Sequence, residues 1–236
     1  MSLSPFFTLH SDLPREGPGD RASLDRAMER VGVARDARIL DAACGPGADI
    51  EGLLAHAPEG QVTAIDKHLH FIDAVNARFE ADARVTARQG DMAQPGGSFD
   101  LIWCAGALYF LGVEDGLRGW REVLTPGGHV VFTEPVIFKT PPSAAATAFW
   151  EGYAAMDPAG IVAATEAAGF EVLDTAPLSD AAWEAYYGPL EARVEALRPG
   201  ADAALSAVLD EGVHEAVQWR ALKAEVGYLM VVARMV

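Results

Sequence analysis

The segment ILDAACGPGADI, residues 39–50, has the pattern of a strand, a loop of small residues and the start of a helix. Because glycine has no side chain, such a loop lets a ligand approach the backbone closely. The loop also directs the helix N-terminus, with its free amide groups, toward that ligand. This unit limits the possible folds of the chain more than any other feature. A tight strand–helix turn without a ligand is the structural alternative.

Strand and helix patterns alternate along much of the remaining chain. QVTAID, SFDLIWCAG and HVVFTEP have the composition of strands, and the segments between them repeat apolar residues at helical spacing. This alternation favours parallel strands with helices on both faces of the sheet. We predict an α/β fold with a doubly wound, mostly parallel seven-stranded sheet and a helical insertion before the last strand.

The helical insertion follows a region in which the alternation loosens, after Pro135. Residues 180–225 read as almost wholly helical, and residues 227–236 read as the last strand. We find no internal repeat in the chain. We therefore interpret residues 1–236 as a single domain in which residues 180–225 form a cap over the binding site.

Composition limits the partners of this chain. The formal net charge is −16 without any run of lysine and arginine, and such a surface repels nucleic acids and anionic membranes. Two cysteines, Cys44 and Cys104, are too few for a disulfide framework and fit a reducing compartment. The N-terminal residues lack a signal-peptide pattern, and no apolar run approaches the ~20 residues of a membrane span. We expect a cytoplasmic protein with a small-molecule partner and with neither nucleic acid nor membrane as a partner.

A dinucleotide site is one alternative for the glycine loop. The fingerprint GxGxxG would use Gly45 and Gly47, but its third glycine would fall on Ile50, a bulky apolar residue. The acidic Asp41 ahead of the loop is also not part of that fingerprint. The loop therefore disfavours an NAD-dependent oxidoreductase, which we keep as an alternative.

The same loop resembles the first motif of the class I S-adenosylmethionine-dependent methyltransferases. Their pattern is a strand followed by D-x-G-x-G-x-G. LDAACGPG matches it at Asp41, Gly45 and Gly47 and departs from it at Ala43, where glycine is usual. The resemblance implies a Rossmann-like methyltransferase fold with a cofactor-binding core at residues 35–178. It implies S-adenosyl-L-methionine as cofactor and S-adenosyl-L-homocysteine as product.

Asp66 ends the second predicted strand. In α/β nucleotide sites a carboxylate about 20 residues beyond the glycine loop accepts hydrogen bonds from the ribose hydroxyls. An N-cap of the following helix is the alternative role for Asp66, and the two roles are compatible. The resemblance places Lys67 near the adenine. It also assigns the adenine amino group to Asp91 and the adenine ring to Met92, for which a polar loop without ligand is the alternative.

The resemblance places Cys104 beside the methionine part of the cofactor, although a small buried hydrophobic residue is the alternative. We do not expect a nucleophilic cysteine, because methyl transfer needs no covalent enzyme intermediate. The full set of predicted cofactor-binding residues is Asp41, Ala43, Cys44, Gly45, Gly47, Asp66, Lys67, Asp91, Met92 and Cys104.

Aromatic and acidic residues after the fourth and fifth strands and at the start of the cap are candidates for the acceptor pocket. Core packing is the alternative for the aromatic residues, because an apolar stripe on a helix usually faces the core. The stretch LPREGPGD resembles the leader of some small-molecule methyltransferases, so residues 1–20 are expected to form a lid, with a loose surface tail as the alternative. The predicted substrate-binding residues are Arg15, Tyr109, Glu134, Trp150, Tyr186 and Tyr187.

The sequence thus predicts an enzyme that transfers a methyl group from S-adenosylmethionine to a small-molecule acceptor. A non-catalytic S-adenosylmethionine-binding protein is the second reading. His68 and His70 have the spacing of a metal pair but lack a third ligand nearby, so we expect no metal. His10 is a candidate base, and no catalytic residue is assigned. The pattern leaves open the acceptor atom and the formation of a homodimer.

Overall fold

A computed structural model describes residues 4–236, and seven strands in this range form one sheet in the order β3-β2-β1-β4-β5-β7-β6. Strands β1 to β5 are parallel, and β7 runs antiparallel to its neighbours β5 and β6. The predicted seven-stranded, mostly parallel sheet is confirmed. The strands are β1 (Arg38–Ala42), β2 (Gln61–Asp66), β3 (Val85–Gln89), β4 (Phe99–Cys104), β5 (Leu124–Ile137), β6 (Phe170–Pro177) and β7 (Val226–Met235).

Helices cover both faces of this sheet. Two short 3-10 helices, Leu108–Phe110 and Arg198–Gly200, join longer elements, and in the described residues no helix is both long and apolar enough to cross a membrane. The α-helices are α1 (Pro5–His10), α2 (Arg21–Val31), α3 (Ile50–His56), α4 (Leu69–Arg78), α5 (Val113–Trp120), α6 (Ala144–Phe149), α7 (Pro158–Ala167), α8 (Asp180–Leu197) and α9 (Ala203–Leu222).

Short polar side chains define where several helices begin. Asp20, Asp157, Ser179 and Asp202 each accept a hydrogen bond from a backbone N–H in the first turn of the helix that follows. These contacts satisfy amide groups that lack a partner inside the helix. Helix α2 ends at Gly32, whose φ of 62° is readily adopted by glycine.

Successive residues of the central strands face two separate cores. Ile39 and Leu101 belong to the core beneath α2, α3, α8 and α9, whereas Leu40 and Ile102 belong to the core beneath α5 and α7. This division follows from the alternation of side chains along a strand. Both faces of the sheet are therefore buried, as a doubly wound fold requires.

The strand order reverses between β1 and β4, because β1 pairs with β2 on one side and with β4 on the other. In doubly wound sheets ligands bind in the crevice outside the carboxyl ends of the strands at such a switch point. Helices α8 and α9 lie in the segment for which we predict a cap, residues 180–225, and α1 packs against both of them. The crevice thus lies between the sheet, the cap and the N-terminal lid. Residues 1–3 of the predicted lid lie outside the described residues.

Candidate active site

The glycine loop leaves β1 through a sharp turn. Ala43, Gly45 and Gly47 all have positive φ angles, of 57°, 51° and 79° respectively. Ala43 occupies the left-handed region that favours glycine, so its methyl group carries a strain of about 1–2 kcal/mol. The Cys44 N–H donates to the carbonyl oxygen of Ile65 at 2.9 Å, which fixes the loop against β2.

Asp66 joins the end of β2 to the glycine loop. Its carboxylate accepts hydrogen bonds from the Gly45 N–H at 3.0 Å and from the His68 N–H at 2.8 Å. The N-cap alternative for Asp66 is wrong, because α4 begins at Leu69 and His68 is its N-cap residue. Each carboxylate oxygen retains a further lone pair for a ligand.

A buried carboxyl group lies beneath the loop at the end of β1. Asp41 is 3% exposed, and its Oδ2 has no hydrogen-bond partner among the described residues. Burial raises the pKa of Asp41 well above its usual value, and the nearby charges of Asp49 and Asp66 raise it further. Uncharged Asp41 is thus the favoured form until a cation comes within contact distance.

Two residues of the predicted N-terminal lid, Arg15 and Glu16, lie beside the glycine loop. Arg15 lies 3.6 Å from Asp49, and Asp49 also accepts a hydrogen bond from the Trp103 indole N–H at 2.9 Å. Glu16 contacts His10 at 2.7 Å. A Cβ added at Gly45 would lie 3.3 Å from Glu16 Cγ, so the Glu16 side chain lies next to this glycine. The lid therefore contacts the glycine loop directly.

One large cavity of about 1190 Å³ opens at the carboxyl ends of the central strands. Its walls come from the lid, the glycine loop, the segments after β2, β3 and β4, and helices α6, α8 and α9. Pockets for one drug-sized ligand measure about 300–1,000 Å³. The cavity therefore has room for two small ligands side by side.

Most predicted cofactor residues line this cavity. They are Asp41, Ala43, Cys44, Gly45, Asp66, Lys67, Asp91 and Met92.

Two predicted cofactor residues lie elsewhere. Gly47 packs behind the loop, where an added Cβ would come within 2.8 Å of Ile50 Cδ1 and 2.9 Å of a Val75 methyl group. Cys104 is fully buried in the core beneath α5 and α7, whereas its neighbour Trp103 belongs to the core beneath α2, α3, α8 and α9. Burial raises the pKa of the Cys104 thiol strongly, which disfavours a nucleophilic thiolate.

The predicted substrate-binding residues also divide into those that line the cavity and those that do not. Arg15, Tyr109, Trp150 and Tyr186 line the cavity, whereas Glu134 and Tyr187 do not. Glu134 is fully buried and accepts a hydrogen bond from the hydroxyl of Tyr153, a cavity residue.

Burial raises the pKa of Glu134 to about 7. The carboxyl group can therefore hold or release a proton near neutral pH, and the hydrogen bond from Tyr153 links it to the cavity lining.

The two adjacent tyrosines of α8 face different surroundings. The Tyr186 ring lines the cavity, while Tyr187 stacks in the core with Trp183 and Trp219, the latter two with ring centroids 4.8 Å apart. Core packing, the alternative for the aromatic stripe, thus holds for Tyr187. Its hydroxyl nevertheless donates to Glu215 Oε1 at 2.8 Å, and Glu215 lines the cavity.

Sequence reasoning did not identify the wall formed by α9. Glu211, His214, Glu215 and Gln218 all line the cavity from one face of this helix. Their spacing of three, four and seven positions places them on one helical face. This polar stripe was visible in the sequence, but its orientation depends on how α9 packs.

Two other side chains missed from the sequence are Glu16, whose lid contact is described above, and Tyr228 of β7, which lines the cavity. The pair His68 and His70 packs its rings against Phe7, at centroid distances of 4.8 and 4.9 Å. His10, the candidate base, is buried against Glu16.

Comparison with known proteins indicates a methyltransferase domain. Residues 39–128 match the family model of a methyltransferase domain. Malonyl-[acyl-carrier protein] O-methyltransferase of Enterobacter lignolyticus is 29% identical over 133 residues, which are 55% of this chain and 49% of that protein. Trans-aconitate 2-methyltransferase of Mycobacterium tuberculosis is 29% identical over 124 residues, which are 51% of this chain and 46% of that protein. The chain thus spans about half the length of the curated relatives it matches.

Structural similarity extends over almost the whole chain. A SAM-dependent methyltransferase from Geobacter sulfurreducens, solved in complex with S-adenosyl-L-homocysteine, superposes with a TM-score of 0.83. The sequences are 19% identical, and the superposition covers 97% of this chain and 96% of that chain. The fold is therefore that of the class I S-adenosylmethionine-dependent methyltransferases. Together with the match over residues 39–128, it confirms the resemblance of the glycine loop to that class.

Proposed function

We propose that this chain binds S-adenosyl-L-methionine in the crevice at the glycine loop and transfers its methyl group to a small-molecule acceptor. One observation carries the proposal: a single cavity joins the glycine loop and Asp66 to an aromatic chamber. We define the aromatic chamber by Tyr109, Trp150, Tyr153, Tyr186 and Tyr228. A methyl donor in the crevice would lie next to an acceptor in this chamber.

The residues of the crevice fit the cofactor by their chemistry. The orphaned Asp41 Oδ2 can accept from the ammonium group of an amino acid, and the free lone pairs of Asp66 can accept from ribose hydroxyls. Met92 supplies a polarisable side chain for the adenine ring, and Lys67 and Asp91 lie on the same side of the cavity. When bound, the cofactor supplies an activated methyl group on a positively charged sulfur.

The protein must then hold the acceptor in line with that methyl group and exclude water. Correct positioning alone lowers the barrier by about 7–11 kcal/mol in well-oriented reactions. The rings of Tyr109 and Tyr153, with centroids 5.7 Å apart, form part of the aromatic wall that would position the acceptor. Near this wall, burial raises the pKa of two carboxyl groups, Glu134 beneath Tyr153 and Glu215 on α9, which favours their holding a proton.

Two observations weigh against the alternative functions. Ile50 is fully buried in the core at the position where a dinucleotide site needs its third glycine. A non-catalytic cofactor-binding protein would have a filled acceptor pocket, whereas the cavity exceeds the size of a single-ligand pocket. We also propose a cytoplasmic location and no nucleic-acid partner, on the basis of the two free cysteines and the net charge of −16. The homodimer stays a prediction.

Calorimetry with S-adenosyl-L-homocysteine and NAD tests the proposed cofactor. We expect saturable binding of the first ligand and none of NAD. Replacing Asp66 by alanine should weaken S-adenosyl-L-homocysteine binding by about 1–3 kcal/mol, because charged hydrogen bonds are lost. Asp73→Ala is the matched control, since Asp73 is exposed on α4 outside the cavity. Unchanged affinity in the Asp66 variant would remove this residue from the site.

Incubation of the protein with methyl-labelled S-adenosylmethionine and pools of small amines, phenols and acids tests the transfer itself. Label should move to a small molecule in at least one pool. Cofactor binding without transfer to any pool would favour the non-catalytic reading.

A further inference from the structure

Three tyrosine hydroxyls of the aromatic chamber have no hydrogen-bond partner within the described part of the chain. Tyr186 and Tyr228 are 7% and 9% exposed, and both line the cavity together with Tyr109. None of the three hydroxyls takes part in a hydrogen bond found among residues 4–236, in contrast to those of Tyr153 and Tyr187. Because all three residues line the cavity, their hydroxyls are available to hydrogen-bond a polar ligand in this chamber.

Carboxylates surround the same space. Glu215 uses Oε1 to accept from Tyr187, which leaves its second oxygen free, and Glu151 and Glu211 also line the cavity. Glu215 lies close enough to Tyr109 to contribute, with burial and Glu134, to raising the pKa of that phenol to about 12. Burial also raises the pKa of Glu215.

Cations in the cavity walls are few and lie at the cofactor end. Among the described residues, Arg15 and Lys67 are the lysine and arginine side chains of the lining. Arg15 is already engaged with Asp49 and with the carbonyl oxygen of Gly17 at 2.6 Å. Lys67 lies 5.2 Å from the ring centroid of Phe110. Among the described residues, the aromatic chamber thus has acidic side chains beside it and no lysine or arginine in its own walls.

The walls themselves favour a cation. Trp150 and Tyr228 pack edge to face with ring centroids 5.6 Å apart, and both contribute to the cavity lining. The negative face of an aromatic ring attracts a positively charged group, and this attraction grows when the group is desolvated. An anionic ligand would meet Glu211 and Glu215 on α9, with His214 as the basic side chain between them and no lysine or arginine on the cavity-lining face of that helix among the described residues.

We propose that the methyl acceptor is an amine that enters the aromatic chamber as an ammonium ion, with Glu215 as its counter-ion and the Tyr186 and Tyr228 hydroxyls as hydrogen-bond acceptors. This proposal rests on the proposed methyl transfer. The two curated relatives are named as methyltransferases of malonyl-[acyl-carrier protein] and of trans-aconitate. This chain would therefore differ from them in acceptor class.

The transfer step balances with groups present in the chamber. The ammonium first gives one proton to the Glu215 carboxylate, which becomes a neutral carboxylic acid. The nitrogen lone pair then forms the new N–C bond while the S–C bond breaks and leaves its electron pair on sulfur. The product is an N-methylammonium ion beside a neutral thioether. Glu215 is the better proton acceptor by position, because Glu215 lines the cavity whereas Glu134 does not.

The test uses the intact protein saturated with S-adenosyl-L-homocysteine. Calorimetry at neutral pH would compare probes that share a carbon skeleton, such as phenethylamine with 3-phenylpropionate and cyclohexylmethylamine with cyclohexylacetate. At least one amine should bind, and more tightly than its acid. Glu215→Gln should weaken amine binding about tenfold or more, since an ion pair is lost, and Tyr186→Phe should weaken it by a smaller factor. Glu195→Gln on α8, an exposed glutamate outside the cavity, should leave amine binding unchanged.

Affinity for S-adenosyl-L-homocysteine is measured first in every variant, which shows that each is folded. Failure of the wild-type protein to bind it would refute the proposed function itself. Three results would overturn the amine proposal alone, provided that cofactor binding is normal. They are equal or tighter binding of the acids, no binding of any amine, and unchanged amine binding in the Glu215→Gln variant.

Discussion

Replacing Asp41 by asparagine should make the protein more stable and its cofactor binding weaker. Asp41 is 3% exposed, one of its oxygens has no partner in the described residues, and Asp49 and Asp66 add negative charge nearby. A carboxylate in this position is costly, because burying a charge without a counter-ion disfavours the folded state. Asparagine has nearly the same shape and no charge.

The effect should depend on pH in a defined direction. The pKa of Asp41 is raised in the folded protein, so the folded chain binds more protons than the unfolded chain above the usual value of 3.8. The contribution of Asp41 to the free energy of unfolding is therefore fully present below pH 3.8. It is lost as the pH rises through the raised pKa of Asp41. Asparagine does not titrate, so the variant should match the wild type in acid and exceed it by about 1–3 kcal/mol at alkaline pH.

Urea denaturation across this pH range measures the difference. Asp36→Asn serves as the control, because Asp36 is exposed and should show no such trend. Cofactor affinity should move in the opposite direction: loss of a charged partner for the ammonium group should weaken S-adenosyl-L-homocysteine binding about 10- to 100-fold. A stability difference that is independent of pH, or an Asp41→Asn variant that binds the ligand as tightly as the wild type, would refute this account of Asp41.

Two further substitutions separate backbone strain from site chemistry. Ala43→Gly should raise the unfolding free energy slightly, by about 0.5–1 kcal/mol, because relief of the left-handed strain exceeds the entropy cost of glycine; a lower melting temperature would contradict the strain at φ 57°. Tyr187→Phe should lower turnover and leave S-adenosyl-L-homocysteine affinity unchanged, since the lost hydroxyl holds Glu215 and lies outside the cavity. Normal turnover in that variant would reduce Tyr187 to a packing residue.

The fold could be predicted from local patterns because each strand and helix carries its own periodicity. The glycine loop was predicted for the same reason: Asp41, Gly45 and Asp66 lie at strand ends that meet at one edge of a parallel sheet. The distances between Asp41, Gly45 and Asp66 depend on few contacts beyond the loop itself. Such residues can be placed from sequence with little knowledge of the rest of the molecule.

The face on which a side chain lies was harder to predict. Strand β4 is apolar on both sides, since both faces of the sheet are covered. No alternation of polar and apolar residues therefore shows that Trp103 faces the core beneath α2, α3, α8 and α9 and that Cys104 faces the opposite core. Glu134 illustrates the same limit in β5, where a run of buried residues hides the side to which the carboxyl group points.

The acceptor side of the cavity depends on tertiary packing, which the sequence pattern does not contain. The polar face of α9 is visible as a repeat, but it faces the cavity only because α9 packs against α8 and α1. The stack of Trp183, Tyr187 and Trp219 fixes α8 against α9, and the hydroxyl of Tyr187 then holds Glu215 at the wall of the aromatic chamber. An aromatic core thus positions the carboxylate on which the choice of acceptor depends. It follows that substitutions in this core should alter acceptor recognition before they alter cofactor binding, because the glycine loop and Asp66 are held by β1 and β2 instead.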